Sequence, residues 1–192
     1  MISYVVYIFL LPNSIAFASP VINATLTNEY GESYQVIVNS GNVFENYSSD
    51  GSINQVVNLD LSEDNIIPMQ EGQYRSAWDS TGGLFAQTTV NLGTKSYQGT
   101  TLYKVNSVSG YWEFHDNTIT VSSPYLLVKT NGPSDVGYAN QSSVYYPANN
   151  FAIYPGFSNY ATVTSLPEIG AYLELTISRS GEIWYLNLSN YR

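Results

Sequence analysis

Ser107-Val108-Ser109-Gly110-Tyr111-Trp112-Glu113-Phe114-His115 alternates between two kinds of residue. Val108, Gly110, Trp112 and Phe114 hold the even positions, while Ser109, Tyr111, Glu113 and His115 hold the odd ones. Successive side chains of a strand point to opposite faces, so the pattern predicts a strand with one buried face and one mostly wet face. Trp112 and Phe114 are expected to fill a large share of a core, because aromatic side chains bury the most area each.

The flanks repeat this grammar. Upstream, Leu84, Ala86, Val90 and Leu92 share one face of a strand. Gly93-Thr94-Lys95 reads as the turn after it, and Tyr97 to Val105 as the next strand. Downstream, His115-Asp116-Asn117 turns the chain, and Ile119 and Val121 alternate with Thr118 and Thr120. Tyr125 to Lys129 is a strand ended by Asn131-Gly132-Pro133, and Tyr160 to Val163 is a short one. The last hairpin is the clearest. Leu173, Leu175 and Ile177 face inward on one arm, Trp184, Leu186 and Leu188 on the other, about Arg179-Ser180-Gly181-Glu182.

Toward the N-terminus, Ile22, Ala24 and Leu26 pair with Tyr34 to Val38 in a hairpin about Asn28-Glu29-Tyr30-Gly31. Ile53, Val57, Leu59 and Leu61 then alternate with Asn54, Val56, Asn58 and Asp60. Short alternating strands with turns every ~8–12 residues define an all-β chain, an antiparallel β-sandwich. From Glu63 to Gly83 the pattern weakens, punctuated by Pro68, Gly72, Gly82 and Gly83. The expected organisation is a signal peptide over 1–18, a smaller N-terminal β-hairpin unit over 19–66, a connection over 67–83, and a β-sandwich domain over 84–192. A unit of ~45 residues buries too little surface to stand alone, so the first unit is expected to pack on the second.

The signal peptide rests on the apolar run Tyr4 to Leu11 and the small residues of Ala16-Phe17-Ala18, with Ser19 first in the mature chain. No Lys or Arg precedes the run. It falls short of the ~20 residues that span a bilayer, so no stable membrane insertion is expected after cleavage. The formal net charge of the 192 residues is −9, and only 11% are charged. An acidic, cation-poor chain is a poor partner for nucleic acid, whose phosphates need Lys and Arg. There is no cysteine, which removes disulfides, thiolate metal sites and cysteine nucleophiles. A cysteine-free secreted β-protein points to a Gram-positive bacterium.

His115 is the sole histidine. With Glu113 on its face and Asp116 beside it, a Ser-His-Asp triad can be drawn, yet no Gly-x-Ser-x-Gly marks a nucleophile. A strand-end surface histidine is the plainer reading. Histidine zinc sites ask for two or three such residues, and no cofactor is expected. Asp60 to Asn65 gathers oxygen donors that could suit calcium, without the glycine of an EF-hand loop.

The region from Asp135 to Phe157 reads as irregular and is rich in Tyr, Asn, Gln and Pro, in a chain with 18 Tyr. Tyr138, Asn140, Gln141, Tyr145, Tyr146, Tyr154 and Tyr160 are the candidate binding residues. Tyrosine offers stiff contact area with a polar tip, and amides offer paired hydrogen bonds. That mixture fits a glycan or a protein. The expected function is a secreted, non-catalytic β-sandwich that binds such a partner. The alternative is a secreted hydrolase acting on cell-wall or host polymers through carboxylates or His115.

From about Thr88 onward, the order of Val108-Ser109-Gly110-Tyr111-Trp112 with Asp116, Gly137 with Gln141, Asn150-Phe151 with Gly156-Phe157 and Tyr160, and Ile169-Gly170-Ala171 before the Trp184 hairpin resembles a group of uncharacterised secreted proteins of Gram-positive bacteria. The resemblance covers just over half the chain. It implies export and an all-β fold, and carries over no catalytic residue.

Overall fold

The quoted stretch ends β7 (Thr100–Phe114), the second arm of a long hairpin whose first arm is β6 (Leu84–Tyr97). The computed structural model describes residues 19–61, 65–68, 83–164, 166 and 168–192. Before this hairpin come β1 (Val21–Asn28), β2 (Ser33–Val36), β3 (Val43–Tyr47), β4 (Ile53–Asp60) and β5 (Ile66–Pro68). After it come β8 (Ile119–Ser134), β9 (Gly137–Tyr145), β10 (Asn150–Ile153), β11 (Ile169–Arg179) and β12 (Glu182–Tyr191). The strands form two antiparallel sheets. One has seven strands in the order β5-β2-β1-β12-β11-β8-β9, the other five in the order β10-β7-β6-β4-β3.

The inward faces follow the alternation of the sequence. Val108 and Trp112 on β7, Leu84, Ala86, Val90 and Leu92 on β6, and Ile53, Val57 and Leu59 on β4 are buried. They meet Leu173, Leu175 and Ile177 on β11, and Trp184, Leu186 and Leu188 on β12, in one core cluster. Each such leucine taken out of water stabilises the fold by about 1.5–3 kcal/mol. Trp112 and Trp184 both lie in this core, as expected.

Several details differ from expectation. Phe114 is 40% exposed, because it pairs with Leu84, the first residue of β6, at the very end of the sheet. The turn read at Gly93-Thr94-Lys95 is passed over. The strand runs on to Tyr97 and turns at Gln98-Gly99, both at positive φ. Asn131-Gly132-Pro133 likewise does not end its strand, since β9 pairs alongside and keeps β8 extended to Ser134. Of Tyr160 to Val163, only Ala161 forms a bridge, to Tyr103.

The region from Asp135 to Phe157 is not irregular: it holds β9 and β10, one edge strand of each sheet. An edge strand needs few inward apolar residues, so its alternation was faint. The strands of residues 19–66 do not stand apart as a hairpin unit either. β1 pairs along its whole length with β12, and β4 with β6, so the segment is shared between the sheets. The stretch 69–82, which holds most of the expected connection, lies outside the described residues, as does the proposed signal peptide.

Polar groups also bridge the sheets on the inward faces. Asn190 of β12 donates to the Gln55 carbonyl (3.2 Å) and to Thr88 Oγ1 (3.3 Å), and accepts from Gln55 Nε2. Thr130 of β8 accepts the amide of Val105 on β7 at 3.0 Å. Arg192 is fully buried, ion-paired to Glu45 of β3 and stacked 5.0 Å from the Tyr103 ring centre. Burial pulls its pKa down to about 10, and the adjacent carboxylate favours the charged form.

Candidate functional site

The tyrosines and amides singled out in the sequence fall into three groups. Tyr138 and Asn140 are exposed on the outer face of β9, and Tyr146 follows just beyond the strand, 77% exposed. Tyr154 stands out 75% exposed after β10, in the other sheet. Tyr145, Gln141 and Tyr160 are committed to structure. Tyr145 packs on the core. Gln141 accepts the amides of Ser158 (2.8 Å) and Asn159 (3.1 Å) and donates to the Asn159 carbonyl (2.8 Å), fixing the segment that covers this side of the sandwich. Tyr160 lies half-buried beneath Lys104, 4.8 Å from its ring centre. The seven residues therefore form no single surface.

His115 is exposed beyond β7, and its backbone amide bonds the Gly83 carbonyl at 2.9 Å. Asp116, drawn above as its triad partner, is otherwise engaged. Its Oδ1 accepts the amide and hydroxyl of Thr118, both at 2.8 Å, and its Oδ2 accepts Arg179 Nη2 at 2.6 Å. Of the Asp60–Asn65 segment only Asp60, Leu61 and Asn65 are described, with Asn65 Nδ2 donating to the Asp60 carbonyl at 3.3 Å. Among the described residues no three His, Asp or Glu side chains gather as a metal site would require.

The most organised polar surface is one the sequence reading passed over: the outer face of the five-stranded sheet. Alternation that sends Trp112 and Val108 inward sends Tyr111 and Ser109 outward, and strand register lines them up across neighbours. Asn150, Tyr111, Gln87 and Asn58 form one row across β10, β7, β6 and β4. Ala152, Ser109, Thr89 and Val56 form the next, ending at Phe44 of β3, which is 45% exposed. Ser107, Asn91, Asn54 and Asn46 form the third, across β7, β6, β4 and β3. Short side chains thus make a floor between two amide-bearing walls.

The walls are held in place. Gln87 Nε2 donates to Asn58 Oδ1 at 2.6 Å, and Asn91 Nδ2 to Asn54 Oδ1 at 2.7 Å, with Asn106 Nδ2 donating to Asn91 Oδ1 at 3.0 Å. Beyond the first row, Phe85 packs against Tyr111, ring centres 5.8 Å apart, between Asp60 and Glu113 on the strands either side. At this end a cleft of about 310 Å³ opens along Tyr111, Glu113, Asn149 and Asn150. A second, apolar groove of about 430 Å³ runs along Trp112, Phe114, Val121, Pro124 and Pro147.

The outer face of the seven-stranded sheet differs. Tyr125 meets Tyr146 and Tyr172 edge-on, at 6.1 and 6.4 Å. Burial first, and then Glu174, pushes the Tyr172 hydroxyl's pKa well up. Burial first, and then Glu168, does the same to Tyr191. These hydroxyls stay protonated donors across the physiological range. Tyr172 spends its hydroxyl locally, on Glu174 Oε2 (3.0 Å) and Asn187 Oδ1 (2.6 Å).

No protein-family model matches the chain, nor does any curated protein or solved structure.

Proposed function

We propose that this chain is a non-catalytic binding module whose ligand is a neutral glycan held on the outer face of the five-stranded sheet. One observation carries the reading: an aromatic pair, Phe85 and Tyr111, lies beside amides already oriented by their neighbours, on strands paired within the sheet. A sugar presents an apolar C–H face and pairs of hydroxyls. Aromatic rings take the first, and amides, donor and acceptor at once, take the second. Neither amide row contains Lys or Arg, which disfavours anionic ligands on a chain of net charge −9.

The test is a glycan array followed by calorimetry with the protein and its Tyr111→Ala variant. Loss of at least tenfold in affinity is expected, about 1.4 kcal/mol. Equal binding by the variant would move the site elsewhere. The hydrolase alternative has one foothold on this face, the pair Asp60 and Glu113, both exposed on strands flanking β6. Glycoside hydrolysis needs two carboxyls converging on one bond, whereas these two stand on the strands either side of Phe85. Release of reducing ends from a bound polymer, abolished by Glu113→Gln, would establish the hydrolase instead.

We also propose, on the apolar run Tyr4 to Leu11 and the Ala16-Phe17-Ala18 site, that the chain is secreted with cleavage after Ala18. Mass spectrometry of the native product should find Ser19 at the N-terminus, and an intact leader in a membrane fraction would refute the cleavage.

A further inference from the structure

We propose that the floor and walls of this face take an extended, β-linked polysaccharide chain laid across the strands, one sugar residue per strand. The inference rests on the glycan-binding reading above and adds the linkage, the direction and the length of the ligand.

The geometry comes from register. Asn150, Tyr111, Gln87 and Asn58 are direct cross-strand neighbours on four adjacent strands. Adjacent strands lie about 4.8 Å apart, so the row repeats its polar groups at about that interval. This is close to the advance of one pyranose residue in an extended β-1,4-linked chain. An α-1,4-linked chain coils and cannot keep step with a nearly straight row.

The two walls lie two residues either side of the floor, hence about 7 Å from it along the strands. The floor itself is Ala152, Ser109, Thr89 and Val56, with nothing longer until Phe44 closes it at β3. A pyranose ribbon fits between such walls with its ring edges, where the hydroxyls are, facing amides on both sides.

The amides are poised for this. Once Gln87 Nε2 is bonded to Asn58 Oδ1, Gln87 Oε1 and Asn58 Nδ2 remain for a ligand. On the other wall, the Asn106→Asn91→Asn54 relay leaves Asn54 Nδ2 as a donor. Each wall thus offers fixed hydrogen-bonding groups without a charge. Sheet twist of roughly 20–25° per strand limits how far a flat ribbon can follow, which sets the footprint at about four residues.

The experiment is calorimetry with β-1,4-linked oligomers of glucose, mannose, xylose and N-acetylglucosamine, one to six residues long, beside α-1,4-linked glucose oligomers and a polyuronic acid. At least one β-linked series should gain affinity at each added residue up to four and then level off. The α-linked and anionic series should bind at least tenfold more weakly. Gln87→Ala and Asn54→Ala should each weaken the tetramer at least fivefold. Thr89→Trp, which fills the floor from an outward position, should abolish binding while the melting temperature stays within a few degrees.

Affinity independent of length, equal binding of α-linked chains, or indifference to Thr89→Trp overturns the proposal while leaving glycan binding in place. Binding that survives these three changes but is lost in Tyr146→Ala places the glycan on the opposite sheet. No binding to any saccharide removes the underlying reading as well.

Discussion

Gly110→Ala should be the most damaging single methyl that can be added to β7. Gly110 sits in the interior row of β7 directly opposite Phe151 of β10. A Cβ there would lie 2.5 Å from the Gln87 carbonyl oxygen and 2.8 Å from Phe151 Cζ, against 3.4 Å where ordinary contact begins. The first obstacle is the backbone of β6, which is fixed on both sides by pairing, so the ring must swing and the strands must part. Overpacking of this kind costs about 1–3 kcal/mol, and the upper half applies where backbone is struck. For a domain of this size, about 2–3 kcal/mol lowers the melting temperature by roughly 5–10 °C. Differential scanning calorimetry measures this, with Gly41→Ala as the control, since a Cβ at Gly41 meets nothing within 4 Å. Displacing Phe151 should also loosen β10, so the amide protons of the β10–β7 pair should exchange faster in the variant. A Gly110→Ala protein that melts with the wild type and keeps those amides protected would refute the packing of β10 on β7.

Asn190→Ala should cost about 2–3 kcal/mol, because it removes a buried hydrogen-bond partner of Gln55 and Thr88, while a Gln55→Leu/Asn190→Leu pair should cost less than the sum of its single changes; chemical denaturation of the five proteins checks both. Stability should fall in acid. Asp50, held down chiefly by the Ser52 amide, Asp116, chiefly by the Thr118 amide, and Asp135, chiefly by Lys95, all have folded pKa values below the usual 3.8. Their contribution is complete above that value and is lost as pH drops through the lowered ones, so melting temperatures measured from pH 6 to pH 2 should decline most steeply below about pH 4. At the alkaline end the sign reverses. Tyr172 and Tyr191, raised above 10, stabilise the fold fully below that value and lose it as pH rises beyond; ultraviolet titration should show them ionising only after the exposed tyrosines.

Much of the fold was legible because burial writes itself along the chain. A strand with one face in a core must alternate, and Leu173-Glu174-Leu175-Thr176-Ile177 alternates without exception. Legibility failed where an inward position is polar or where an edge relaxes the rule. Gln55 and Asn190 sit on inward faces at positions a hydrophobic pattern cannot mark, since what makes them tolerable is a partner on the opposite sheet. β9 has Ala139 as its one fully buried side chain, so its sequence reads as loop. The ends of strands misled in the same way. Phe114 obeys the parity of Trp112 but lies at the very end of its sheet and stays 40% exposed.

The candidate site was hidden for a different reason: it runs at right angles to the chain. Tyr111, Gln87, Asn58 and Asn150 are adjacent in space and distant in sequence, and each one alone is an ordinary wet residue on the outer face of a strand. The visible trace was Asn54-Val56-Asn58-Asp60, which looked like solvent-facing filler. What turns filler into a row is register, and register is set by where hairpins turn. The Gln98-Gly99 turn and the one-residue register shift between Asn91 and Leu92 together fix β6 against β7, so a turn misplaced at Gly93-Thr94-Lys95 would pair Gln87 with a different residue and break the row. The tyrosines of Tyr138 to Tyr160 drew notice because they cluster in sequence. Clustering along a chain scatters side chains over both faces and both sheets once the chain is pleated. Surfaces built across strands therefore have to be read from pairing, and in this protein the pairing assembles amides where the composition displayed only tyrosines.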